Sequence, residues 1–349
     1  PGRLLALAFA TALVAGALGA PGAIATDHRS AGVRGAAATH RRTGAPPAKT
    51  VRAHAAARYL TGIGDEQPEM FTDPLWQQLH TKIARYVAPY DAVVHPYSLG
   101  LATAWIHAAE AQHAQVLVAF YHSEYTPTNL PTVAAYQRDV QKFVKRFPHV
   151  RQYQSWDESN RGNVPRAFSS PSAVAAAKYY QALLRVCKGC TVIGLDVLDQ
   201  ANIGPTIEYI EEFKHEIGRL RTIMPSIWGL HDYSDVNRYE SWRTREVSLA
   251  LGGQVWLTET GGIVQFGGAF PNRNGSGLTR AAKVLQFTFA VAASQSRIKR
   301  LYLFDWTGGT RSTRFDAGLT DSRHRPRPGY VAVCRHLHAT KCAVRTSSR

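Results

Sequence analysis

The sequence predicts a single (β/α)8 barrel, and three observations carry that prediction. From residue 59 onward short β-type runs alternate with amphipathic stretches, the rhythm of repeated βα units around a parallel sheet. Eight such runs can be counted, and the stretch that holds them has the size of one barrel, typically about 250 residues. The first run is not followed by Gly-x-Gly-x-x-Gly; Gly62-Ile63-Gly64 continues into Asp65-Glu66-Gln67, which disfavours the runner-up, a doubly wound open sheet. With 45% hydrophobic and 19% charged residues, the chain can bury a large core, so a disordered, collagen-like or coiled-coil protein is excluded.

The elements follow in chain order. Arg3, the 17-residue apolar run Leu4 to Ala20 and Ala23-Ile24-Ala25 have the layout of an export signal over residues 1–25, with an uncleaved anchor as the alternative. Residues 26–58 are Ala, Arg, Gly, Thr and Pro with almost no large apolar residue, a composition that cannot offset the entropy of ordering and predicts a flexible basic linker. The eight runs are Tyr59 to Gly64, Ile83 to Asp91, Gln115 to Tyr121, Val150 to Trp156, Thr191 to Asp196, Ser226 to His231, Gln254 to Thr258 and Ile298 to Trp306. Helices are predicted between them, for example over Leu101 to Ala114, Leu130 to Phe147, Ser172 to Val186, Thr206 to Leu220 and Leu278 to Ser294. The barrel is expected to occupy residues 59–340, with a basic tail over 341–349.

In a barrel the reactive groups gather at the C-terminal ends of the strands. There the fourth run gives Tyr153-Gln154-Ser155-Trp156-Asp157-Glu158-Ser159-Asn160, and the seventh gives Val255-Trp256-Leu257-Thr258-Glu259-Thr260-Gly261-Gly262. Each places one Glu just past an apolar strand. Glycosidic cleavage with retention needs two carboxyl groups about 5 to 5.5 Å apart, one to attack the sugar carbon and one to protonate the departing oxygen. A lone Glu at a strand end is ordinarily a solvated loop residue; the pair together is what points to chemistry. Asp65, Glu66, Asp196 and Asp199 also fall at strand ends, with loop solvation as their default.

Trp-Asp-Glu-Ser-Asn resembles the Asn-Glu-Pro type motif at strand four of the clan A (4/7 superfamily) glycoside hydrolases, and Trp-Leu-Thr-Glu-Thr-Gly resembles their strand-seven nucleophile motif. His231-Asp232-Tyr233 is similar to the clan's His-x-Tyr, and Trp306 stands where a substrate-platform Trp is usual. Arg85 sits where the clan often keeps an Arg that supports the nucleophile, and His122 is similar to a histidine of several member families. The opening Gly-Ile-Gly-Asp-Glu-Gln-Pro-Glu-Met-Phe and the Trp-Leu-Thr-Glu-Thr-Gly-Gly-Ile run also resemble secreted actinobacterial hydrolase-like proteins. The resemblance implies a secreted, metal-independent and cofactor-free retaining hydrolase of β-linked glycans, with Glu158 as acid/base and Glu259 as nucleophile.

Burial beside Trp156 would keep Glu158 protonated, and Arg85 with the Tyr233 hydroxyl would keep Glu259 ionised. One residue departs from the pattern: Asp157 replaces the usual Asn. Asn can donate to a sugar 2-hydroxyl, whereas ionised Asp only accepts, and its charge would raise the pKa of Glu158. Asp157 and the basic surface motivate the alternative, a barrel that binds carbohydrate or cell wall without turnover. Structural roles compete at Arg85 (an ion pair), His122 (a core histidine) and Trp306 (barrel packing). Tyr90, Tyr125, Trp228 and Phe266 are further aromatic candidates for sugar subsites.

Lys plus Arg number 41 against 25 Asp plus Glu, a formal +16, of which the first 58 residues hold +7. Such charge favours anionic neighbours, here an anionic cell-envelope polymer; without aromatic interleaving no nucleic-acid partner is expected. A monomer is expected. Cys187-Lys188-Gly189-Cys190 has the spacing of a zinc or redox pair that Cys334 and Cys342 could complete, but in an exported protein two disulfides, Cys187 with Cys190 and Cys334 with Cys342, are preferred. Asn274-Gly275-Ser276 marks a surface loop.

Overall fold

The computed structural model describes residues 59–162, 167–310, 312–338 and 342. The expected leader, linker and, apart from Cys342, basic tail lie outside these residues. The barrel strands are β1 (Leu60–Gly64), β2 (Ile83–Pro89), β3 (Gln115–Tyr121), β4 (Gln152–Gln154), β5 (Thr191–Ile193) with β6 (Asp196–Leu198), β7 (Ile227–His231), β8 (Gln254–Thr260) and β10 (Ile298–Phe304). They pair in parallel in the order β5-β4-β3-β2-β1-β10-β8-β7-β6.

β5 and β6 are two pieces of the fifth run, parted by Gly194 and Leu195. The Gly194 amide donates to the Ile227 carbonyl at 3.2 Å and the Gly229 amide to the Leu195 carbonyl at 2.8 Å. The fifth strand therefore leaves β4 and joins β7, which closes the sheet. All eight predicted runs form barrel strands.

The helices α1 (Pro74–Leu79), α2 (Pro96–Ala111), α3 (Val133–Arg146), α4 (Ala173–Val186), α5 (Gly204–Arg219), α6 (Tyr233–Val236), α7 (Trp242–Leu251), α8 (Ser276–Ser294) and α9 (Pro328–His336) surround the strands. Side-chain caps fix where several begin: Asp73 accepts from the Leu75 amide at 2.9 Å, Thr132 from Ala135 at 3.2 Å and Ser172 from Ala175 at 3.2 Å, each satisfying a donor that the first turn leaves open. A small antiparallel pair, β9 (Gln265–Phe266) with β11 (Phe315–Asp316), lies outside the barrel sheet. No helix among the described residues is long and apolar enough to cross a membrane.

The core has two parts. A large layer between strands and helices includes Trp105, Phe120, Tyr136 and Trp228, while a compact plug of Ile83, Leu117, Ile193, Trp256 and Tyr302 packs together on strand residues. Arg85 lies two residues after Ile83 and so shares its face of β2, with the plug beneath it. Cys187 is bonded to Cys190 and Cys334 to Cys342, so the zinc alternative lacks free thiolates.

Candidate active site

The site sits where the strands end. β8 carries one extra residue between Leu257 and Thr260: Leu257 pairs with Leu230 while Glu259 pairs with the adjacent His231, and on the other side Leu301 and Leu303 pair with Leu257 and Thr260. Such a bulge re-aims the side chains after it. Strict alternation would turn Thr258 and Glu259 to opposite faces, yet Thr258 bonds Asp196 and Glu259 meets Arg85. Glu158 reaches the same space from the turn after β4, in left-handed backbone at φ +46°. Its amide donates to Asp196 Oδ2 at 3.2 Å, and the Ser159 amide to the Asp196 carbonyl at 2.9 Å.

Both oxygens of Glu259 are bound: Arg85 Nη1 donates to Oε2 at 3.0 Å and the Tyr233 hydroxyl to Oε1 at 3.2 Å. Arg85 Nη2 pairs with Asp157 and stands 3.9 Å from Asp196. His231, fully buried, places Nε2 2.9 Å from Asp196, and its Nδ1 lies 3.3 Å from Glu158 Oε1 and 4.0 Å from Glu259 Oε2. The two glutamates can thus be no further apart than those last two distances laid end to end, a scale compatible with the pair that double displacement requires. A narrow cleft of about 20 Å³ lies over them, lined by Glu66, Val87, Tyr121, Asp157, Glu158, Arg161, Glu259 and Phe304. A larger hollow of about 410 Å³ beside Asp73 and His324 lies away from this cluster.

The electrostatics depart from expectation. Burial raises Glu158, but Arg161, 2.7 Å from Oε2, and then His231 outweigh it and hold Glu158 below its ordinary value. Burial pushes Glu259 above the usual carboxylate value, and His231 and Arg85 do not offset it. The expected order, a raised Glu158 beside a depressed Glu259, is reversed in the free protein. Two assumptions fail. Trp156 packs in an aromatic cluster with Tyr90, Tyr121, Tyr136 and Tyr179 and does not line the cleft, and Arg161, three residues on, supplies a cation that strand-end reasoning missed. The charge of Asp157, paired with Arg85, does not reverse this order. Burial pushes Asp157 itself up to about 7, against Arg85 and His231; below that pH it carries a proton and can donate, as the usual Asn would.

Burial would lower His231, but Asp196 and Glu259 outweigh it and keep it well above the ordinary value, hence protonated. Asp157, His231 and Glu259 present ligand atoms within 4.8 Å of one another, yet the set does not suit a metal. Arg85 already holds both carboxylates, and an imidazole must be neutral to ligate.

The remaining candidates divide. Trp306 is fully buried; its Nε1 donates to Asp73 at 3.1 Å and its ring packs edge-on against Tyr330. It presents no face to a sugar, and Phe304 lines the cleft instead. Trp306→Ala is expected to lower the unfolding free energy in urea by about 3 to 5 kcal/mol, whereas a platform residue would cost binding and little stability. His122 is half-buried, stacked on Phe168, and burial lowers it; it is absent from the cleft lining. Of the other aromatics Tyr90, Trp228 and Phe266 are buried and only Tyr125 is exposed, stacked on His95. Asp65, Asp196 and Asp199 are not solvated loop residues. Asp65 accepts the Gln67, Trp306 and Thr307 amides, and Asp199 those of Ser234 and Asp235. Glu66 alone of the four lines the cleft, raised by burial and by Asp65.

These groups set a pH dependence of stability. Burial raises Asp65 to about 6 and Asp157 and Asp232 to about 7. A raised group binds its proton more tightly folded than unfolded, so its stabilisation is present at low pH and lost as pH climbs through those values; His231 acts in the same direction. Glu158 and Asp196, both lowered, stabilise above the ordinary carboxylate value and lose this as pH falls. The melting temperature, followed by calorimetry, is therefore expected to peak at about pH 5 and fall toward pH 8. Asp157→Asn should flatten the alkaline decline.

The chain shares its fold with solved glycoside hydrolases. A GH10 endoxylanase from a sugarcane soil metagenome superposes with TM-score 0.56 at 12% identity, covering 80% of this chain and 96% of its own. A family 39 glycoside hydrolase from Bacteroides cellulosilyticus gives 0.53 at 16% identity, over 81% of this chain and 65% of its own. A GH5_18 variant from Streptomyces cattleya, in complex with Manβ1-4GlcNAc, gives 0.56 at 13% identity, over 83% and 82%. No family model matches the sequence. No curated protein matches it either.

Proposed function

We propose that the protein is a retaining glycoside hydrolase acting on a β-linked polysaccharide or oligosaccharide outside the cell. The observation that carries this reading is the convergence of Glu158 and Glu259 on one imidazole nitrogen, His231 Nδ1, beneath the narrow cleft. Glu259, with both oxygens held by Arg85 and Tyr233, is aimed as the nucleophile. It attacks the anomeric carbon while Glu158 gives a proton to the leaving oxygen; water deprotonated by Glu158 then breaks the glycosyl-enzyme ester and frees Glu259. His231 contacts both carboxyls, so they titrate as a pair, and its charge steadies whichever is ionised at each stage.

The export-signal layout expected over residues 1–25 and the basic charge of the chain agree with a substrate at or beyond the envelope. The test is an assay of new reducing ends after incubation with β-glucans, xylans, mannans, galactans, arabinans and their acidic counterparts. Cleavage of any of them is the expected result. A chain that retains a glycan in a pull-down and cleaves none would be the binding barrel instead, the second reading, which the Arg161 clamp on Glu158 favours.

A further inference from the structure

We propose that Arg161 recognises a carboxylate on the substrate, so that this cleft is built for glycans containing uronic acids; the proposal rests on the hydrolase reading above and names its substrate class. Arg161 follows the turn that carries Glu158, lines the cleft, and has a side chain only 5% exposed. Its Nη1 donates to Glu158 Oε2 at 2.7 Å and to the Tyr121 hydroxyl at 3.1 Å. Its plane is held over the Phe168 ring, 4.4 Å from the centroid. Nη2 is buried without a hydrogen-bond partner among the described residues. A buried guanidinium with an unused donor costs free energy until an acceptor arrives, and the planar fork of Nη1 and Nη2 matches the two oxygens of a carboxylate.

The ion pair explains why the acceptor is anionic. In the free protein Glu158 is flanked by Arg161 and His231 on the positive side and by Asp157, Asp196 and Glu259 on the negative side. Arg161 and His231 keep it ionised, Arg161 through the largest single charge interaction, and an ionised Glu158 cannot protonate a leaving oxygen. A sugar carboxylate that takes the guanidinium removes that hold, and the four remaining neighbours leave Glu158 to bind a proton from solvent. One negative charge enters the cleft and one proton follows it, so the net charge there is unchanged. That proton is the one delivered to the glycosidic oxygen. A neutral sugar offers Arg161 a hydroxyl, which leaves the Glu158 ion pair intact. Beyond the cleft, the net charge of +9 outside the first 58 residues draws polyanionic chains toward the barrel.

The test is calorimetric titration of the full chain with β-linked oligouronates of several linkages, each beside its carboxyl-reduced neutral counterpart, at pH 7 in two buffers of different ionisation heat. Wild type is expected to bind at least one uronate about tenfold or more tighter than its reduced form, with uptake of about one proton. Arg161→Gln should bring that ratio close to one and abolish the uptake, and Arg161→Lys should keep part of the ratio, with a native circular dichroism spectrum and a cooperative melt as the control for folding. Equal affinities in wild type, no binding to either kind, or a ratio that survives Arg161→Gln would overturn the proposal. Reducing ends measured on the same oligosaccharides separate the two levels. Cleavage of neutral chains with indifference to uronates upholds the hydrolase and removes the uronate preference; Arg161-dependent binding without any cleavage does the reverse.

Discussion

Glu259→Gly is expected to retain less than about one ten-thousandth of wild-type kcat, and azide should restore turnover of an activated aryl β-glycoside as the α-glycosyl azide. With the nucleophile removed, azide enters from the face that Glu259 occupied and inverts the anomeric carbon once. Glu158→Gly should lose about 10²- to 10⁴-fold on substrates whose leaving group needs a proton, and far less on a dinitrophenyl glycoside, whose leaving group needs none. There azide intercepts the glycosyl-enzyme and the product is the β-azide. The anomer formed therefore assigns each role by chemistry. This matters because the free protein's electrostatics point the other way: Arg161 and His231 keep Glu158 ionised, while burial favours the proton on Glu259. If Glu158 were the nucleophile, the two azide products would exchange between the variants. If neither variant lost activity, the chemistry would lie elsewhere.

The eight strands were legible because each is a compact apolar run with polar residues at its end, and a closed parallel sheet buries such runs on both faces. The two glutamates were legible as strand-end residues, and the resemblance to clan A marked Arg85, His231 and Tyr233, which the structure gathers within hydrogen-bonding reach of them. What composition and spacing could not show is direction. Trp156 and Trp306 stand in the expected places along the chain, yet each turns into the core, because a large apolar ring one or two residues past a strand can pack outward under the helices as readily as inward. The bulge that re-aims Glu259 leaves no local mark in Leu257-Thr258-Glu259-Thr260. Arg161 had a weak signal, a cation three residues after a proposed acid on a turn, and the turn closed by the Arg161 amide on the Glu158 carbonyl brings the two side chains together. The short α7 and α9 and the β9–β11 pair lacked a periodic apolar stripe long enough to stand out from loops.

Arg85→Met should destabilise the fold by about 3 to 5 kcal/mol at pH 8, the usual cost of stranding a buried charge, which in a barrel of this size is a fall of roughly 10 °C in melting temperature. The Arg85 side chain is 1% exposed and its two terminal nitrogens serve Glu259, Asp157 and Asp196. Met fills a similar volume, so the loss is electrostatic. Without the guanidinium, three carboxylates whose side chains are at most 7% exposed are left with His231 as the cation beside them. The protein can relieve this only by binding protons, so the cost must shrink as pH falls: wild type and Arg85→Met should converge toward pH 5. Asp157→Asn added to Arg85→Met removes one of the stranded charges and should recover part of the loss at pH 8, a non-additivity that urea midpoints measure directly. A structural ion pair alone predicts the stability change and no more. If Arg85 also holds Glu259 ionised for attack, Arg85→Met should move the acid limb of the kcat profile upward in pH, and the double variant, stable but lacking that cation, should keep the shift.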